Sequence, residues 1–263
     1  MGCRRAHEVI WLVAGVATAV AMFAPGGAAA REAGDPITLK WTEGDVAGMQ
    51  RILSPDGEST IGYVEYHQRV RDGVVETLRV SRFADGSSDE DAADAQVGQT
   101  LEALRGRSII RDTQGRVTVD LTIDVAGGRI TGFSGLGQER ETYDEHVRLP
   151  AGTYWGALIF IVLRNFDANA ADDRLVFHTI EPTPQPRAID LELVRDGATA
   201  LQQPGNRLEV MRYTLRPTIN WLVDPIVQRI APSIEFLVRP GAPPALARFK
   251  GPRNYSGEEI VLE

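Results

Sequence analysis

Six stretches of this chain alternate apolar and polar residues with a period of two, a pattern that suits only extended backbone with one face buried and one face wet. They are residues 61–70 (IGYVEYHQRV), 74–83 (VVETLRVSRF), 117–125 (VTVDLTIDV), 175–181 (LVFHTIE), 188–194 (AIDLELV) and 208–215 (LEVMRYTL). Turn chemistry punctuates the chain at Pro55-Asp56-Gly57, Arg71-Asp72-Gly73, Gln114-Gly115, Gly127-Gly128 and Arg195-Asp196-Gly197. Asp72-Gly73, between two clean alternating runs, predicts a tight hairpin. No helix recurs between the runs, so the pattern predicts a mainly β fold: a single large curled antiparallel sheet, either a half-barrel or a β-spiral. The proline-rich stretch 181–187 (EPTPQPR) has alternating runs on both sides and reads as a long loop, which leaves 31–263 as one β-rich domain.

Two segments break the alternation. In 153–166 (TYWGALIFIVLRNF) the residues Trp155, Leu158, Ile159, Val162, Leu163 and Phe166 recur at helical spacing, with Thr153 placed to cap the start. The other side carries Tyr154, Ala157, Phe160 and Ile161, so the expectation is one helix buried on two sides. Its β-branched residues leave a central strand open as the alternative, and its length is too short for a membrane span. In 218–232 (TINWLVDPIVQRIAP) an apolar stripe runs through Pro225. A proline inside a continuous helix costs about 3 kcal/mol or more. Asp224 as cap and Pro225 at the first helical position avoid that cost, which predicts a short kinked helical segment near the C-terminus.

Residues 1–30 join a basic head (Arg4, Arg5) to an uncharged apolar run over 9–24, then Pro25-Gly26-Gly27 and Ala28-Ala29-Ala30. This order describes a secretory signal peptide cleaved near Ala30, with a retained anchor as the alternative. The arginine pair is compatible with both general and twin-arginine export. Cys3 precedes the apolar run and cannot be a lipidated cysteine following it. Cleavage leaves 26 basic and 35 acidic residues, a net charge of −9, which disfavours nucleic acid and anionic surfaces as partners. It also leaves no cysteine, so disulfide and thiolate chemistry are excluded and stability must come from the core.

Candidate chemistry is sparse. The stretch 85–94 (DGSSDEDAAD) has the carboxylates of a calcium loop, but Glu90 stands where that loop needs glycine and Gln96 where it needs glutamate. It reads instead as a turn followed by a short helix capped by Ser87 or Ser88. His67 and His146 each share a strand face with a carboxylate, Glu65 and Asp144, the raw material of a general base or zinc site. No histidine pair has the spacing of a hydrolytic zinc motif. Residues 132–137 (GFSGLG) miss the nucleophile-elbow pattern at Leu136. No metal or cofactor is expected.

What remains is apolar. The run Phe83-Ala84-Asp85-Gly86-Ser87 after a strand, together with Leu215-Arg216-Pro217, Ala231-Pro232 and residues 243–252 (PPALARFKGP), resembles an uncharacterised family of exported β-rich bacterial envelope proteins, a domain of unknown function. That family is distantly similar to half-barrel lipoprotein carriers, and the resemblance implies a concave sheet able to hold acyl chains. The expectation is a periplasmic, non-enzymatic envelope protein, without a stable membrane span after cleavage, that binds an apolar or lipid-like molecule. Trp155, Ile159, Val162, Phe166, Trp221 and Ile226 would line the site, although core packing alone accounts for the same residues. The alternatives are an assembly or scaffold protein that binds another envelope protein, and a hydrolase using His67 or His146.

Overall fold

A computed structural model describes residues 32–41, 43–181, 187–203, 205–218, 234–254 and 257–263. The signal-peptide reading, most of the proline loop and the kinked helical segment therefore lie outside the described residues.

The strands are β1 (Ile37–Thr38), β2 (Val46–Leu53), β3 (Thr60–Arg71), β4 (Val74–Phe83), β5 (Ser88–Val97), β6 (Thr100–Arg111), β7 (Val117–Asp124), β8 (Arg129–Ser134) and β9 (Glu141–His146). After the helix α1 (Leu158–Arg164) come β10 (Arg174–Glu181), β11 (Arg187–Gln203), β12 (Asn206–Pro217), β13 (Ile234–Arg239), β14 (Ala245–Pro252) and β15 (Glu259–Leu262). They form one antiparallel sheet in the order β10-β11-β12-β13-β14-β15-β2-β3-β4-β5-β6-β7-β8-β9, with β1 paired to the start of β6. The mainly β, single-sheet expectation holds, and the sheet is not closed into a barrel.

The hairpin at Asp72-Gly73 forms as its chemistry dictates, with φ of 51° and 76° at the two residues. Both lie in the left-handed region, whose twist matches the flanking strands. Two other expectations fail for tertiary reasons. Arg195-Asp196-Gly197 is a bulge inside the seventeen-residue β11, where the register with β12 skips between Arg195 and Gly197. The expected capped helix over 85–94 is instead a turn followed by β5. Asp and Ala are poor strand formers, but β4 and β6 hold β5 on both sides, and its inward carboxylates find buried partners described below.

The segment 153–166 is buried, and the protein's own core buries it. Leu158, Ile161, Val162 and Leu163 of α1 pack in one apolar cluster with Ile52, Val64, Ala93, Leu193, Phe236 and Leu262, from six different strands. The helix is shorter than the sequence suggested, because Gly156 sits at φ 53° and breaks helical backbone just before it. Thr153 does not cap it; Thr153 is fully buried and bridges to His178 of β10. Asn165 ends the helix, donating from Nδ2 to the Ile161 carbonyl at 2.9 Å while its Oδ1 accepts from the Lys40 and Trp41 amides at 2.8 and 3.2 Å.

Residues 150–154 draw the curl together where no ladder does. The Ala103 amide of β6 donates to the Ala151 carbonyl (3.1 Å), and the His178 and Tyr154 amides donate to the Gly152 and His178 carbonyls (3.3 and 2.8 Å). The Tyr154 hydroxyl donates to the Leu101 carbonyl at 2.6 Å and accepts from the Ile37 amide at 2.9 Å. One short segment thus ties β10 to β6 across the concave side.

Candidate functional site

The less buried face of the helix carries Ile159, Phe160 and Arg164, all partly buried, the first two packed against the edge of the core. Phe160 stands edge-on to Tyr66 (6.2 Å between centroids) and to Phe236 (6.4 Å). It touches three cavities on the inner side of the sheet, of about 170, 470 and 40 Å³, of which the first two are large enough to matter.

The larger cavity lies beside the seam between β15 and β2. β15 meets β2 only at Val261↔Leu53 and Leu262↔Ile52, extended by backbone bonds between Arg51 and Glu263. Beyond that point, residues 46–50 of β2 face residues 243–246 across a gap, and the cavity opens there. Val64, Tyr66, Phe160 and Leu262 form its walls together with Val46 and Leu246. Gly48 contributes open space: a Cβ there would meet nothing within 4 Å.

Its polar end is formed by Tyr66 and Arg164, which Glu43 and Gln68 hold from behind the cavity wall. The Glu43 side chain is inaccessible to solvent and pairs with Arg164 at 2.7 Å. Gln68 Nε2 donates to Glu43 Oε2 and to the Gly44 carbonyl, each at 2.8 Å, and the Tyr66 hydroxyl donates to Gln68 Oε1 at 2.6 Å. Burial pushes the Tyr66 phenol up to about 12, with Arg164 opposing the shift and Glu43 adding to it.

The smaller cavity has an apolar side (Ile159, Phe236, Phe249) and an ionic side. The guanidinium of Arg253 grips Asp89 with two bonds of 2.8 Å, reaches Ser87 Oγ at 2.9 Å and stacks over the Phe83 ring at 3.6 Å. Arg79 pairs with Asp91, which also accepts from Ser108 Oγ at 2.8 Å. Each carboxylate is matched by a guanidinium, so these walls present hydrogen-bonding capacity without net charge.

The structure distributes the sequence candidates unevenly. Trp155, Val162 and Phe166 are at most 1 % exposed and sit in the packed core, Phe166 edge-on to Tyr213 at 5.0 Å. Ile159 lines the smaller cavity. Trp221 and Ile226 lie outside the described residues. Val64 and Tyr66, on the inward side of a predicted strand, were within reach of sequence reasoning. Val46, Met49 and Leu246 were not, because nothing local announces where a ladder stops.

His67 and His146 stand exposed on β3 and β9. His178 places Nδ1 2.5 Å from Asp190 Oδ1. Among the described residues no group of three or more His, Cys, Asp or Glu could hold a metal ion, and no helix is long and apolar enough to cross a membrane.

No protein-family profile matches the chain and no curated protein matches it. Among solved structures the chain is similar to a crystal structure described as a beta-barrel-like protein of domain of unknown function DUF1849 from Brucella abortus. The two are 10% identical over 83% of this chain and 94% of that chain, with a TM-score of 0.44.

Proposed function

We propose that this is a periplasmic, non-enzymatic envelope protein that binds an apolar or lipid-like molecule on the concave side of its sheet. The observation that carries the reading is the cavity of about 470 Å³ between β2, residues 243–246 and α1. Its volume falls within the range typical of small-molecule sites, and its walls are predominantly apolar with a few fixed polar groups at one end. The matched pairs Glu43–Arg164 and Arg79–Asp91 favour an uncharged or weakly polar headgroup, since a bare anion would have to compete with a carboxylate already in place. The periplasmic location rests on the leader-like residues 1–30. A hydrolase using His67 or His146 gains no support, because both rings are exposed away from the concavity.

Native mass spectrometry followed by solvent extraction of the purified protein tests carriage directly, and a co-purifying lipid is the expected result. An uncharged fluorescent lipid, the methyl ester of cis-parinaric acid, tests the site. Gly48→Phe projects a ring into open space, so it should lower the ester's affinity at least tenfold with the fold intact. Saturable binding that is identical in the two proteins, or no binding in either, overturns the assignment.

A further inference from the structure

We infer that the smaller cavity, of about 170 Å³, is a second binding site and that it takes the neutral ring of a hexopyranose sugar. The site stands apart from apolar carriage and does not depend on it.

Three observations converge. The first is spare hydrogen-bonding capacity. Among the described residues, Arg253 uses three of its five side-chain N–H groups, on Asp89 and on Ser87 Oγ. Each Asp89 oxygen accepts one of those bonds, and the two oxygens of Asp91 accept one each from Ser108 and Arg79. A carboxylate oxygen can accept two. Asp89 and Asp91 are both inward residues of β5, about 7 Å apart along the strand, a span that hydroxyls on opposite edges of one ring can bridge.

The second is charge. Two carboxylates are closed on two guanidiniums, so the wall carries no net charge. An anion would meet Asp89 and Asp91, and a cation would meet Arg79 and Arg253. A zwitterion would have to prise a buried bridge apart, which costs more than its own bonds return. A hydroxyl joins without that cost, because its oxygen accepts from a guanidinium while its hydrogen goes to a carboxylate. The hydroxyls of a sugar supply several such groups at fixed spacing.

The third is the opposite wall. Phe236 and Phe249 lie 5.6 Å apart and tilted by 56°, Phe160 meets Phe236 edge-on, and all three rings line the cavity. The C–H face of a pyranose carries slightly positive hydrogens, which settle on the negative face of an aromatic ring. A bare acyl chain would leave the ionic wall unmet. The volume lies below the ~300 Å³ at which sites for drug-sized ligands begin, so one ring fits and a longer glycan does not. Arg253 is held in place over Phe83, and the side chains of Arg79 and Arg253 keep 18% exposure, so the wall is preorganised yet reached by solvent.

Amide NMR titration of the full chain is the test, with D-glucose, D-mannose and D-galactose as probes. At least one should move the Asp89, Asp91 and Arg253 signals saturably. Ile159→Trp sets an indole into the cavity and should weaken that sugar at least tenfold. Phe249→Leu keeps the wall apolar but removes a ring, and should weaken it at least threefold. The same spectra show that each variant is folded. The methyl glycoside of the bound sugar distinguishes the sources: binding retained marks the end ring of a glycan, and binding lost marks a free sugar. The inference is overturned by no saturable shift with any of the sugars up to about 10 mM, by affinity unchanged in Ile159→Trp or in Phe249→Leu, or by leucine, a zwitterion, binding where the sugars do not.

Discussion

Arg253 and Asp89 are separated by 164 positions in the chain, yet they meet through two parallel hydrogen bonds of 2.8 Å, with the Asp89 side chain 4% exposed. One residue follows β14 and the other lies in β5, strands that are five places apart in the sheet. The pair therefore spans the concavity and holds the curl at its radius.

Removing one member leaves a buried charge without its partner, which costs about 3–5 kcal/mol. Arg253→Met and Asp89→Leu should each lower stability by about that amount, and the double variant should recover much of the loss. Urea denaturation of the four proteins completes the cycle; additive losses would show that the two residues are uncoupled.

Gly106 of β6 lies against Trp155, where an added Cβ would come within 2.1 Å of the Trp155 ring. That ring is pinned by the core, so it cannot swing away cheaply. Gly106→Ala should destabilise by about 1–3 kcal/mol and shift the tryptophan emission. Gly106→Ala combined with Trp155→Leu should be less destabilised than the sum of the two single changes. A silent Gly106→Ala would mean the contact is looser than the geometry requires.

Tyr66 predicts a pH dependence. Its folded value of about 12 lies above the ordinary phenol value near 10. The folded state thus favours the neutral phenol, and that contribution is complete below pH 10 and lost as pH rises through 12. The stability difference between the parent and Tyr66→Phe should shrink over that interval and stay constant from pH 7 to 9. A difference that does not change between pH 9 and 12 would refute the shift.

Much of the sheet was legible, and the reasons for the rest are physical. Runs 61–70 and 74–83 match β3 and β4 nearly end to end, because uninterrupted alternation and one strict turn fix both register and face. β6 was obscured by its own irregularity: its ladder with β5 steps from Asp94↔Arg105 to Ala95↔Ala103, which leaves Leu104 as an extra residue. That skip shifts which residues face inward, so no steady alternation survives along the strand. β5 was hidden by composition, since Asp89 and Asp91 look like surface residues until Arg253 arrives from beyond β14 and Arg79 stands opposite on the adjoining β4. The helix was legible as a buried apolar rod, but not its late start, which depends on the conformation of Gly156. The cavity itself was invisible, because its lining from β2, β3, α1 and residues 243–246 is brought together only by the assembled sheet.

The strand order also sets a timetable. β2 through β9 are made first, but the partner that β2 needs on its other side, β15, follows the whole group from β10 onward. Eight strands must wait, half assembled, for six more before the perimeter joins. Contacts this distant in sequence make for slow folding and a prolonged aggregation-prone interval. The maturation of a polypeptide with that itinerary is a step a chaperone can govern.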